Sequence, residues 1–155
     1  MSIDRNGWFV DTFAKALTNV IALDLSATSA FKLAMFTDSL VPNFSQTNPA
    51  YGTSPLNTAE VSGTGYTAGG QTLSVTSFAE LAGNPGKTGW KLGTVTWADS
   101  TITGAKGALI YVPGLSNRAV LIRNFGVARD TQAGTFEITF DADGVWRQNL
   151  IGPAF

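Results

Sequence analysis

The chain has 155 residues, of which 44% are hydrophobic and only 14% charged, and its formal net charge is −1 from 10 basic and 11 acidic side chains. That is the length of one ordinary domain able to bury a core, and it is too nearly neutral for a nucleic-acid binder, whose affinity rests on many phosphate contacts. It contains neither His nor Cys, which excludes disulfides, thiol nucleophiles, Cys/His zinc sites, Ser-His-Asp triads and histidine acid–base chemistry.

The N-terminal stretch Met1-Ser2-Ile3-Asp4-Arg5-Asn6-Gly7 lacks a basic region followed by an apolar run. No stretch approaches the ~20 apolar residues that span a bilayer. The expectation is a protein folded in a cytoplasm, with no membrane partner. Next, Trp8, Phe9, Phe13, Ala16, Leu17, Val20 and Ile21 recur at steps of three and four, which predicts a helix over 7–20. Asn6 or Asp4 is the candidate N-cap, and Asp11 and Lys15 form a favourable pair one turn apart. The apolar stripe either covers an edge or face of a sheet or docks on another chain.

From residue 30 the pattern becomes short alternating runs. Phe31–Thr37 reads as a mostly buried strand. The polar segment from Asp38 to Asn57, with Pro42, Pro49, Gly52 and Pro55, is too long for a simple connection and is expected to be functional or partly disordered; its aromatics Phe44 and Tyr51 either contact a partner or form a lid on the protein's own sheet. Ser62–Gly70 is a glycine-rich loop. Thr72–Phe78 alternates with period two, Gly83–Gly86 is a turn, and Trp90–Trp97 alternates again. Ala108–Val112 is almost continuously apolar, as suits a central strand buried on both faces. Pro113-Gly114 closes it, and Ala119–Phe125 is the expected hairpin partner. A turn is expected near Asp130 to Gly134. Thr135–Phe140 follows, with Phe136, Ile138 and Phe140 on one face. Strand after strand without intervening helices predicts an all-β fold, an antiparallel β-sandwich or jelly-roll-like barrel with an N-terminal α-helix. The expected division is a helical arm, 1–25, and a single β-sandwich domain, 26–155.

Chemical motifs are sparse. Gly63-Thr64-Gly65-Tyr66-Thr67-Ala68 has the form of a dinucleotide-binding turn, but a strand pattern follows where a helix must present its free amides to the pyrophosphate. Gly86-Lys87-Thr88 ends like a phosphate loop, yet Leu81 stands where the first glycine is required and no helix follows. Asp141-Ala142-Asp143-Gly144 opens like a calcium loop, but its glycine is misplaced and Gly152 stands where the closing Glu belongs. A tight Asp-Gly turn is the better reading, with a looser ion site as the alternative. Glu60, Glu80, Asp99, Glu137, Asp141 and Asp143 are scattered, and a glycosidase needs two that converge. Asn43-Phe44-Ser45 fits a glycosylation acceptor only in form. Arg118, Arg123, Arg129 and Arg147 gather in the last third and suit a protein interface, where their flat forks bind carboxylates. No cofactor or metal is expected.

Three segments carry a family resemblance. They are Glu60-Val61-Ser62-Gly63-Thr64-Gly65-Tyr66-Thr67-Ala68-Gly69-Gly70, the run Val95 to Tyr111 with Ser100-Thr101-Ile102-Thr103 at its centre, and Gly134 to Gly144. With Phe31–Thr37 they resemble small virion proteins of tailed bacteriophages, over roughly residues 30–145. The Ala79–Gly89 turn and Gly104 depart from that pattern. The resemblance implies a non-enzymatic particle component: a head decoration, minor capsid or minor tail protein. The expected role is a capsid decoration or cement protein bridging and stabilising major capsid subunits. Its expected place is the virion, assembled in a host bacterial cytoplasm, with the major capsid protein or other virion proteins as partners and a homo-oligomer, a trimer, as its form. The alternative is a minor tail or fibre module binding a host-surface glycan, and a cell-wall hydrolase is a third class. Candidate partner contacts are Trp8, Phe9, Phe13, Phe44, Tyr51 and Arg118, on the helix, the long loop and the arginine-rich third.

Overall fold

The computed structural model describes residues 3–152. Its elements are β1 (Gly7–Trp8), α1 (Val10–Leu17), β2 (Lys32–Thr37), β3 (Gln71–Thr72), β4 (Val75–Glu80), β5 (Lys87–Leu92), β6 (Val95–Val112), a 3₁₀ turn (Pro113–Leu115), β7 (Arg118–Ile138) and β8 (Trp146–Asn149). They form two antiparallel sheets, ordered β1-β7-β6-β2-β3 and β4-β5-β8. The fold is all-β and sandwich-like with one short helix.

The larger sheet is buried on both faces, and its sequence shows why. On β2, Leu33 and Met35 face the first core, between the sheets, with Trp90, Leu92 and Val75 of the smaller sheet. Ala34 and Phe36 face the second core, with Leu40 and Leu56 from the 38–57 loop and with Ile3 and Phe9. On β6, Ala108, Ile110 and Val112 join the first core, while Leu109 and Tyr111 join the second. An almost unbroken apolar run is therefore the requirement of a strand covered on both sides. The long loop is a lid on the protein's own sheet. Trp90 is fully buried, meets Phe31 edge-on at 4.9 Å and anchors the first core; truncation of such a side chain typically costs about 3–5 kcal/mol.

Four expectations are corrected. The helix is shorter than 7–20, because Gly7-Trp8 pairs with Ile122 and Leu121 of β7. Neither Asn6 nor Asp4 caps it: Phe9 holds the N-cap position without a side-chain bond, and Asn6 Oδ1 instead accepts from the amide of Asn124 at 2.7 Å. Thr72–Phe78 and Trp90–Trp97 are each two strands, because the chain crosses between sheets at Leu73-Ser74 and at Gly93-Thr94. The crossings lie side by side, with Gly93 N donating to Ser74 O at 2.8 Å. Alternation persists through both corners, so periodicity alone reads straight on. Finally, Asp130–Gly134 is not a hairpin turn. β7 runs through it, with register shifts between Ser100 and Ile102 and between Ile102 and Ala105 of β6 and with Ala133 in a left-handed conformation (φ 47°), the signature of β-bulges.

The N-terminal segment is built into this body. Phe9 N donates to Val120 O, and Thr12 Oγ1 donates to Ala119 O at 2.7 Å. The start of the helix thus packs on the edge of β7, while Leu17 and Val20 of the apolar stripe remain exposed. No helix among the described residues is long and apolar enough to cross a membrane.

Candidate docking groove

The glycine-rich motif is a structural clamp. Glu60 accepts hydrogen bonds from Tyr51 Oη (2.8 Å), Tyr66 Oη (2.8 Å) and the Gly69 amide (2.7 Å). Tyr66 Oη accepts from Met35 N, and Tyr111 Oη donates to Gly69 O. Tyr51 and Tyr111 stack at 4.6 Å. Tyr51 and Tyr66 thus meet on one carboxylate, Tyr111 joins them through Gly69 and its stack on Tyr51, and the three tie the lid, the glycine-rich loop and the sheet together. Thr101 N donates to Thr64 O, so the Ser100–Thr103 segment is the surface on which the Gly63–Gly65 loop lies. Two segments that carry the family resemblance are therefore one packing unit.

Desolvation, with the charge of Glu60, pushes the Tyr111 phenol up to about 12. Tyr51 and Tyr66 are raised too, by burial first and by the Glu60 carboxylate. Such phenols stay protonated near neutrality and supply no tyrosinate nucleophile. The folded state therefore holds these protons more tightly than the unfolded chain, whose phenols titrate near 10. Their contribution to stability is complete below about pH 10 and is lost as pH rises above it. We expect the melting temperature to hold up to about pH 10 and to fall as pH rises from about 10 to 12, the value to which the Tyr111 phenol is raised. Phenolate absorbance should appear together with loss of near-ultraviolet dichroism; phenolate appearing while the fold persists would refute the clamp.

A second network surrounds Asp11. Its Oδ2 accepts from Lys15 Nζ, Arg118 Nη1 and the Asn48 amide, each at 3.0 Å, and Asn48 Oδ1 accepts from Lys15 and Arg118. Desolvation opposes ionisation of Asp11, but the Lys15 and Asn48 hydrogen bonds and the two cationic charges outweigh it, so the carboxyl lies below its usual range. The remaining carboxylates with contacts serve turns and surface pairs. Glu80 accepts from the Gly86 amide, Asp141 from the Asp143 amide, and Asp143 pairs with Arg147 at 2.9 Å. Asp141–Gly144 is a turn closed by Gly144 N donating to Asp141 O. Among the described residues no group of three or more acidic side chains is placed to hold a metal.

The apolar surface is concentrated elsewhere. A groove of about 700 Å³ opens between α1 with the 23–26 segment and the inner face of the small sheet. Its walls include Phe13 and Leu17 of α1, Leu23 and Leu25, Phe78 of β4, and Trp146 with Leu150. Phe78 and Trp146 are register partners of Trp90, so this wall continues the core-facing side of the sandwich beyond the point where the large sheet covers it. Leu17 is 74% exposed and Leu150 71%. Among the described residues, Asp24 is the only charged one lining the groove.

The expected contact residues divide. Phe13 and Trp8 line the groove, with Trp8 wedged against Phe13 and Trp146 at 5.4 Å each. Phe9 is fully buried and has no surface to offer a partner. Phe44 is half-buried against Phe9 at 5.5 Å, Tyr51 serves the Glu60 clamp, and Arg118 serves the Asp11 network. Leu17 belongs to the predicted helical stripe, whereas nothing in the local pattern marks Phe78, Trp146 and Leu150 as one surface. The Trp146, Gln148, Leu150 alternation was the available signal, and it does not include Phe78.

No family model matches the chain, and no curated protein or solved structure matches it.

Proposed function

We propose that the chain is a structural virion protein of a tailed phage, a decoration or cement protein that bridges and stabilises major capsid subunits. The observation that carries this reading is the groove. It leaves the inside of a sandwich open to solvent, with large side chains on both walls and almost no charge, and apolar exposure of this kind marks protein–protein contact surfaces. Its neutral lining selects an apolar occupant, such as an aliphatic or aromatic ridge on a capsid subunit, because a charged one would be desolvated without a partner. The resemblance supports the particle setting. Its motif residues are occupied in folding, as in a module whose work is done at its surface. Binding only the assembled lattice would stabilise that lattice by mass action.

Antibody labelling of purified virions tests the reading. Gold is expected at regular positions over the head. Label confined to the tail would replace the decoration role with the tail-module role, and unlabelled particles would remove the virion assignment altogether.

A further inference from the structure

We propose that the outer edge of β7 beyond Asn124 is a strand-addition site for an extended segment of another chain that carries carboxylates beside its pairing stretch. The protein already treats the first part of this edge in that way. Tyr51 N donates to Asn117 O, Ala119 N to Pro49 O and Phe9 N to Val120 O. β1 pairs with Leu121 and Ile122, and Asn6 Oδ1 stands in for a backbone carbonyl at the Asn124 amide. From Phe125 to Ile138 the only strand paired with β7 among the described residues is β6, on its other side. An unpaired edge is a row of backbone donors and acceptors, and its chemistry specifies an extended polypeptide.

Two features narrow the occupant. The irregular stretches at 125–128 and 132–133 blunt the edge, which leaves Gly134–Ile138 as its regular stretch. A cleft of about 480 Å³ runs beside it, lined by Phe125, Phe140, Thr135 and Glu137 and by Arg123 and Arg129. Neither arginine forms an ion pair among the described residues. Asp130 and Asp141 also line the cleft and keep their charges while accepting from the Gly104 and Asp143 amides, so the attraction for a carboxylate is local to the two arginines. Glu137 lies within the pairing stretch, so carboxylates of the incoming segment belong at the far end, opposite Arg129 and Arg123. The site stands apart from the groove and does not depend on the virion reading.

The probe is a synthetic peptide with a Thr-Val-Thr-Val-Thr core followed by Gly-Glu-Glu, titrated into the full chain and followed by backbone amide NMR. The expected result is saturable binding in the submillimolar range, with shifts and slowed amide exchange confined to Gly134–Ile138 and its flanks. A version N-methylated at alternate residues keeps its charge but cannot pair, and should lose binding. Replacing Glu-Glu by Lys-Lys, or Arg129→Glu in the protein, should weaken binding about tenfold or more. Equal binding of the N-methylated peptide would reduce the site to an ion-pair patch and overturn strand addition. Shifts mapping elsewhere, no saturation, or a dimer already occupying this edge without peptide would overturn the proposal as well.

Discussion

Gly70→Ala is expected to cost about 3 kcal/mol or more, a fall in melting temperature of roughly 10 °C for a chain of this size. Gly70 has φ +67°, and an added Cβ would lie 1.7 Å from the Leu33 carbonyl oxygen and 2.8 Å from Ala34 Cα. Both are backbone atoms of β2, a central strand buried on both faces, so neither can move aside as a flexible side chain would. Gly83→Ala separates the two contributions. Gly83 also has a positive φ, +75°, but a Cβ there meets nothing within 4 Å. It should show only the conformational penalty, about 1 kcal/mol. Thermal unfolding of both variants checks this, and equal losses would mean that the close approach of the glycine-rich loop to β2 is not what demands glycine. The same test bears on the resemblance motif, whose glycines then report packing.

How far the sequence could be read depended on the range of the interaction that decided each feature. Local and period-two signals were legible. Ala108–Val112 and Leu33–Phe36 have apolar side chains at successive positions because each strand has a core on either side. The Asp11–Lys15 pair was visible from its spacing, but Arg118 and Asn48, which complete that network, come from distant parts of the chain. The sheet-crossing corners at Ser74 and Gly93 were hidden because alternation continues through them. The bulges of β7 were hidden because a left-handed Ala133 leaves no mark in the sequence. Tyr51, Tyr66 and Tyr111 lie far apart, so only the fold reveals that the first two share Glu60 and the third closes on Gly69 beside them. The groove was the least legible feature: Leu17 belongs to the predicted helical stripe, and only its 74% exposure shows that it faces away from the core.

That exposure sets the second large effect. Leu17 and Leu150 stand on opposite walls of the groove, and both can take a charge without disturbing the folded monomer, since each is mostly in solvent already. Burying an unpaired carboxylate in an interface costs several kcal/mol, so under the proposed decoration role a Leu17→Glu, Leu150→Glu double variant should lose at least a hundredfold in affinity for particles. Deleting residues 1–20 is a poorer test than the sequence suggests. It removes Ile3 and Phe9 from the second core, so the loss would mix docking with folding. The most direct measurement is therefore cosedimentation of the wild type and the double variant with purified virions lacking their own copy of the protein, after confirming equal melting temperatures. The account predicts that the wild type pellets at a fixed number of copies per particle while the variant stays in the supernatant. Equal saturation by both proteins would show that the groove does not dock this chain onto the particle.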